Sequence, residues 1–157
     1  MKRSFAVVLT LLLVLVISSC ATAPLGKAGL QGEGTLAAVR GLTGAYEQRN
    51  LDAFMEKIST TFPDRDGFGK SVETIFSTYQ TIRYNLLFTK IIVTVQDKGN
   101  IKATFTWEGT WKTTGGRIVK DGARVTLIFD PDGYKLVGID GKNMFIPSEG
   151  PTPARQQ

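Results

Sequence analysis

At 157 residues, with a formal net charge of +5, one cysteine and no histidine, the chain has the length of a single domain and lacks the residues for several chemistries. Without histidine there is no Ser-His or Cys-His nucleophile and no imidazole metal site. One cysteine leaves no partner for a disulfide, and no basic run interleaved with exposed aromatics offers a surface for nucleic acid.

Lys2 and Arg3 precede an apolar stretch, Phe5–Ile17, interrupted only by Thr10. That is the layout of a secretory signal peptide, too short for a comfortable transmembrane span. The stretch ends in Ile17-Ser18-Ser19-Cys20, which resembles the lipobox of bacterial lipoproteins. The resemblance implies acylation of Cys20, cleavage before it (residues 1–19 removed) and attachment to a membrane through N-terminal acyl chains. At about 0.8 kcal/mol per buried methylene, several chains anchor far more firmly than one. The implied location is the bacterial cell envelope. Ala21, rather than an aspartate, after the cysteine is compatible with the periplasmic side of an outer membrane. An uncleaved signal anchor or an ordinary signal peptide is the alternative.

Residues 20–35 hold four glycines, Gly26, Gly29, Gly32 and Gly34, and read as a flexible tether spanning about 20 Å. The domain is expected over 36–147. Leu36, Val39, Leu42, Thr43 and Tyr46 recur at helical steps. Asn50 is placed to cap a second helix bearing Leu51, Phe54, Met55 and Ile58, with Asp52 in its first turn. Phe68, Val72, Ile75, Phe76 and Tyr79 form the strongest helical stripe.

After Gln80 the period changes to two, predicting a strand over Ile82–Gln96. Leu86 and Phe88 occupy even positions, and Ile91, Val93 and Val95 odd ones, so a bulge is expected near Thr89-Lys90. Asp97–Asn100 is hairpin chemistry. In Ile101–Trp111, residues Ile101, Ala103, Phe105, Trp107 and Trp111 share one phase, with Gly109 as a gap in the row. Lys102, Thr104, Thr106, Glu108 and Thr110 share the other. Trp107 and Trp111 are about 13 Å apart along the strand, too far to stack, so each is expected to meet a different part of the helical layer. The third strand carries Val119, an expected kink at Lys120-Asp121-Gly122, and then Ala123, Val125, Leu127 and Phe129. A tight turn at Asp130–Gly133 leads to a fourth strand, Tyr134–Asp140. Asn143–Ile146 is read as a closing segment and 148–157 as a disordered tail.

These elements make an α+β domain: three N-terminal helices packed on a curved four-stranded antiparallel sheet. Three features carry a likeness: Tyr46–Phe54 at the turn between the first two helices, the long bent strand after the third helix, and Gly133–Asp140. Together they resemble the nuclear transport factor two-like superfamily, which includes SnoaL-like cyclases and ketosteroid isomerases. The main alternative is a half-barrel lipid carrier. The resemblance implies a cone whose mouth can hold a small apolar ligand or an active site.

Chemistry inside such a cone needs a carboxyl group in an apolar setting, and no sheet acid reads as lying on the dry phase. Glu108 is on the wet one, Asp97, Asp130 and Asp132 belong to turns, and Asp121 to the kink. Asp130 and Asp132 lack the remaining ligands of a calcium loop. No catalytic residue, cofactor or metal is therefore assigned. Candidate pocket walls are Phe54, Phe76, Tyr79, Phe105, Trp107, Gly109, Trp111 and Phe129. Any hollow is expected to border Gly109. The hydroxyls of Tyr46, Tyr79 and Tyr84 either enter the cone or reach the surface. The threonine-rich face is either solvated or a homodimer surface. The functional expectation is a binding module for a small apolar ligand or an envelope protein. An isomerase- or cyclase-like enzyme and a structural envelope part are the alternatives.

Overall fold

A computed structural model describes residues 27–95 and 99–148, with only the backbone described for 27–30 and 88–95. Cys20, the signal segment and residues 149–157 lie outside the described residues. Apart from the first turn of one helix, the architecture belongs to the second of two units, Gln31–Gln157. Among the described residues, no helix is long and apolar enough to cross a membrane.

The first helix, α1, runs Lys27–Glu47. It starts nine residues before Leu36, so residues 27–35 are helical where glycine content predicts a tether. Each interior glycine costs about 1 kcal/mol against alanine, and packing overrides that cost. Thr35 is fully buried, and its hydroxyl donates to the Gln31 carbonyl one turn back. Val39, Leu42, Thr43 and Tyr46 continue the buried face as the stripe predicts. Helix α2, Leu51–Glu56, is capped by Asn50, whose side chain accepts from the Ala53 N–H at 3.0 Å. It buries Phe54. Helix α3, Arg65–Thr78, buries Phe68, Val72, Ile75 and Phe76.

Four antiparallel strands follow in the order β1-β2-β3-β4: Tyr79–Val95, Ile101–Thr113, Ile118–Phe129 and Leu136–Gly141. The phase change read in β1 is a bulge. Leu87 pairs with Thr106 and Ile92 with Thr104, so five residues of β1 advance against two of β2. The excess is odd, and an odd excess turns the strand over. On one side of the bulge Ile82, Tyr84 and Leu86 oppose Trp111, Gly109 and Trp107; on the other Val93 and Val95 oppose Ala103 and Ile101.

The inner face of β2 is buried and its outer face graded to solvent, as the alternation requires. The helices cover that inner face. Tyr46 sits at the centre of the core, its ring 5.0–5.7 Å from those of Phe76, Phe145, Phe54 and Tyr84. Arg49, at φ 55°, ties the layers together by donating to the carbonyls of Phe76 and Tyr79 at the end of α3.

The expected kink in β3 is absent. Pairing with β2 runs unbroken from Lys112–Ile118 to Ile101–Phe129. Gly122 is a place of close approach instead: a Cβ there would stand 2.8 Å from the Trp107 carbonyl oxygen. Because the strand is continuous, Asp121 shares the phase of Val119, Ala123 and Val125. A carboxylate thus lies on the inner face of the sheet, where the sequence reading places none.

Candidate functional site

The eight candidate pocket residues converge on one side of the sheet, and all eight are buried. The space beside Gly109 is filled. A Cβ built on it would lie 2.3 Å from the Trp111 ring and 3.1 Å from the Trp107 ring. The two indoles meet edge to face, with centroids 6.2 Å apart. The rings do not stack, as the strand rise predicts, but they touch each other edge to face. The strand rise sets the distance between their backbones, but a missing side chain at Gly109 lets both rings lean into the gap. Tyr84, opposite Gly109, completes the group with T-shaped contacts to both indoles, at 6.0 and 5.8 Å.

Two tyrosine hydroxyls enter this region. Tyr46 comes from the last turns of α1, and Tyr84 from β1 before the bulge. Tyr46 Oη donates to the Phe145 carbonyl at 2.5 Å and receives the Trp111 indole N–H at 3.4 Å. Tyr84 Oη donates to the Met144 carbonyl. Burial raises both phenols above their ordinary values. For Tyr46, hydrogen bonds with Trp111 and Tyr84 oppose the rise. For Tyr84, the nearby charges of Tyr46, Glu47 and Asp121 add to it. Both phenols are therefore firm donors and poor bases near neutrality. Trp107 supplies a further donor on the same face, because its Nε1 is buried and has no hydrogen-bond partner.

Asp121 sits at the margin of this region, opposite Gly109. Only 8% of its side chain is exposed. One oxygen pairs with Lys142 and accepts the Gly122 N–H. The other accepts the Ser148 N–H at 2.9 Å. Burial alone would raise its carboxyl. The bonds from Lys142, from the Ser148 and Gly122 amides and from the Ser148 hydroxyl outweigh that penalty and hold it below its ordinary value. It is a fixed anion with both oxygens occupied. The sequence carried a signal for this residue: it lies an even number of positions from Val119 and Val125. The adjacent glycine, read as a breaker, obscured it.

The acceptors for both phenols belong to the segment between Lys142 and Ser148. Met144 and Phe145 are fully buried, and Phe145 packs on Phe54 edge to face at 5.1 Å. The segment has no helical or strand pairing. Its own backbone bonds are few: Phe145 N–H to Asn143 Oδ1 at 3.0 Å and a long Ile146 N–H to Asn143 O bond at 3.4 Å. Its outer side borders a groove of about 430 Å³, whose walls include Phe62, Phe68, Ile139 and Ile146. The opposite, outer face of the sheet carries Glu108, fully in the wet row, and a Thr104–Thr126 hydroxyl pair at 2.8 Å. A broad groove of about 790 Å³ lies there, with Thr106, Thr110, Lys120 and Arg124 among its walls.

No family model and no curated protein matches the sequence. Solved structures match its fold. An NTF2-like family protein from Streptomyces avermitilis, a candidate dehydratase, superposes with a TM-score of 0.59 at 18% identity over 70% of this chain and 93% of its own. A nuclear transport factor 2-like superfamily protein from Salmonella enterica serovar Typhimurium gives 0.59 at 12% identity, covering 80% of this chain and 99% of its own. BvnE pinacolase from Penicillium brevicompactum gives 0.53 at 13% identity over 67% and 81%. At these identities the likeness is one of fold: the three-helix, four-strand architecture is nuclear transport factor 2-like.

Proposed function

We propose that the chain is a lipid-anchored protein of a bacterial envelope, held through an acylated Cys20, whose domain is a non-catalytic binding module. The module takes a small apolar ligand inside the cone. Residues Phe54, Phe76, Trp107, Trp111 and Phe129 form its apolar surround, and Tyr46 and Tyr84 supply its polar contacts. One observation carries the reading. The two inner-face phenols are satisfied by the chain's own carbonyls, while the inner-face carboxylate is fixed as an anion with no oxygen left for proton transfer. A general base must reach the proton it abstracts and have a pKa suited to the task, and Asp121 is arranged for neither. Small-molecule sites are apolar enclosures with a few convergent polar groups, which is the composition of this interior.

A second reading, an isomerase- or cyclase-like enzyme, draws on the same carboxylate beside two phenols and on the pinacolase that shares the fold. It requires Asp121 to be freed from Lys142 and Ser148 during turnover. The outer sheet face, with Leu87 and Ile118 exposed, is the proposed homodimer or envelope-partner surface.

Two measurements test the proposal. Cys20→Ala should abolish palmitate labelling and move the protein out of the membrane fraction; unchanged labelling sinks the anchor. Native mass spectrometry of the protein taken from its own host should show a small apolar adduct. Repeated recovery of the bare mass would count against the ligand, and a doubled mass would place the dimer.

A further inference from the structure

We propose that Lys142–Ser148 is a displaceable strap that occupies the cone in place of a ligand, and that Asp121 governs its release. The inference deepens the binding-module reading and rests on it for the nature of the occupant.

Three observations converge. First, a single carboxylate holds both ends of the segment: Asp121 pairs with the Lys142 ammonium at the start and accepts the Ser148 amide at the finish. Five residues of chain lie between those two contacts, so loss of one side chain removes the polar hold on both ends at once. Second, the middle of the segment behaves as a bound molecule would. It inserts an aromatic ring among Tyr46, Phe54 and Tyr84. It also presents two carbonyl oxygens, those of Met144 and Phe145, to the phenols of Tyr84 and Tyr46. Third, the segment is not locked from outside. It has almost no backbone pairing of its own, and Asn143 and Ile146 face the groove of about 430 Å³ rather than packed chain. Segments with few backbone bonds and solvent on one side open at lower cost than the elements they rest on.

These contacts also define what replaces the strap. The donors are two phenols that resist ionisation and an indole N–H with nothing to bond; the two carboxylates near Tyr84, those of Glu47 and Asp121, are engaged by the Tyr84 amide and by Lys142 and Ser148 respectively. The matching ligand is uncharged and apolar, with a planar ring system of about the bulk of the Phe145 side chain or larger. It carries at least one acceptor oxygen, as an aryl ketone does. A second acceptor would meet Trp107 Nε1, which the strap leaves unpaired. A hydrocarbon of the same shape would strand both phenols without acceptors, and a buried donor without a partner is costly.

The test uses full-length protein in lipid nanodiscs, with 2-acetylnaphthalene as the probe and 2-ethylnaphthalene as its acceptor-free match. Hydrogen exchange over 142–148 reads the strap, and tryptophan fluorescence reads the probe. Asp121→Ala should raise exchange in that segment about tenfold while α1, α3 and the strands keep their protection. Lys142→Ala cuts one end only and should raise it less. In Asp121→Ala the ketone should bind about tenfold more tightly than in the unaltered protein, because the competing occupant no longer holds the site closed. It should also bind more tightly than the hydrocarbon. Unchanged exchange over 142–148 in Asp121→Ala overturns the proposal, as does loss of protection across the whole domain in both variants. Faster local exchange with no ketone binding in any variant leaves the Asp121-governed strap standing and removes the apolar-ligand reading of the cone.

Discussion

Two pieces of chain close the inner face of the sheet, and they do so by different means. Helices α1 and α3 bring their own hydrogen bonds. Their backbones are satisfied by i→i−4 pairing wherever they lie, and packing only has to add the apolar stripe. The Lys142–Ser148 segment brings almost none. Its key carbonyls rely on Tyr46 and Tyr84, its last amide on Asp121, and its first side chain on the same carboxylate. Both pieces bury aromatic rings completely. The difference teaches that burial alone does not measure how firmly an element is held: the helices are part of what makes the fold, and the strap is conditional on three side chains that belong to other elements.

The comparison breaks most visibly under large-to-small substitution. Phe54→Ala and Phe145→Ala remove the same ring from fully buried sites 5.1 Å apart. For a ring fixed in the fold the cost is about 3–5 kcal/mol. Phe54→Ala should show that full loss in denaturant unfolding. Phe145→Ala should show clearly less, because a strap that loses its ring lets go instead of leaving a cavity behind. Equal losses in the two melts would mean the strap is as integral as α2.

Gly109→Ala probes the sheet side of the site. The new methyl would meet the Trp111 ring at 2.3 Å, so the indoles must separate or the strand must shift. Overpacking of this kind costs about 1–3 kcal/mol. The near-ultraviolet circular dichroism of the coupled indoles should weaken in step with the loss of stability. An unaltered spectrum would show that the ring contact at 6.2 Å does not depend on the glycine.

A smaller effect is expected in alkali. Tyr46 and Tyr84 titrate above their ordinary value of 10 in the folded state. Their contribution is complete below that value and is lost as pH rises above it, where the unfolded chain sheds its phenolic protons first. Absorbance at the phenolate band, compared between the unaltered protein and the Tyr46→Phe and Tyr84→Phe variants, should show these two phenols ionising only as the domain unfolds. If these two ionise near pH 10 with the domain intact, the phenol–carbonyl bonds under the strap are not made.

Much of the architecture was legible because it rests on periodicity. The buried stripes of α1 and α3, the Asn50 cap, the alternation of β2 and the bulge after Leu87 all follow from residue spacing along one segment. The site was less legible because it depends on relations across segments. Gly109 reads as a hollow until the register sets it opposite Tyr84 and Asp121 and the two indoles are seen to fill it. Asp121 reads as a kink because a charge beside a glycine imitates a turn, and only the unbroken pairing with β2 reveals its face. Asn143–Ile146 was recognisable as a closing segment from its apolar residues. Its role as acceptor for the phenols was not, since the atoms involved are backbone carbonyls and every residue has one. Residues 27–35 misled in the opposite sense, their glycines concealing a helix that packing of Thr35 and Val39 sustains.

The mildest perturbation separates the two closures most sharply. The Asp121 carboxyl titrates below its ordinary value near 3.8. Its stabilisation is therefore present above that value and is lost as pH falls through the lower folded-state value. The groups facing it are the Lys142 ammonium, the amides of Gly122 and Ser148, the Ser148 hydroxyl and, at longer range, the Tyr84 phenol. None of these changes protonation on the acid side, so acid acts on this cluster through Asp121. Protonation removes the charge that holds Lys142 and weakens the acceptor for the Ser148 amide. The helices have no comparable dependence on this group. Below about pH 4, protection factors corrected for the intrinsic slowing of exchange in acid should therefore fall over 142–148 before they fall in α1 or α3. Simultaneous loss in strap and helices would mean that one cooperative unit closes the sheet, and that the two pieces differ in bonding pattern but not in stability.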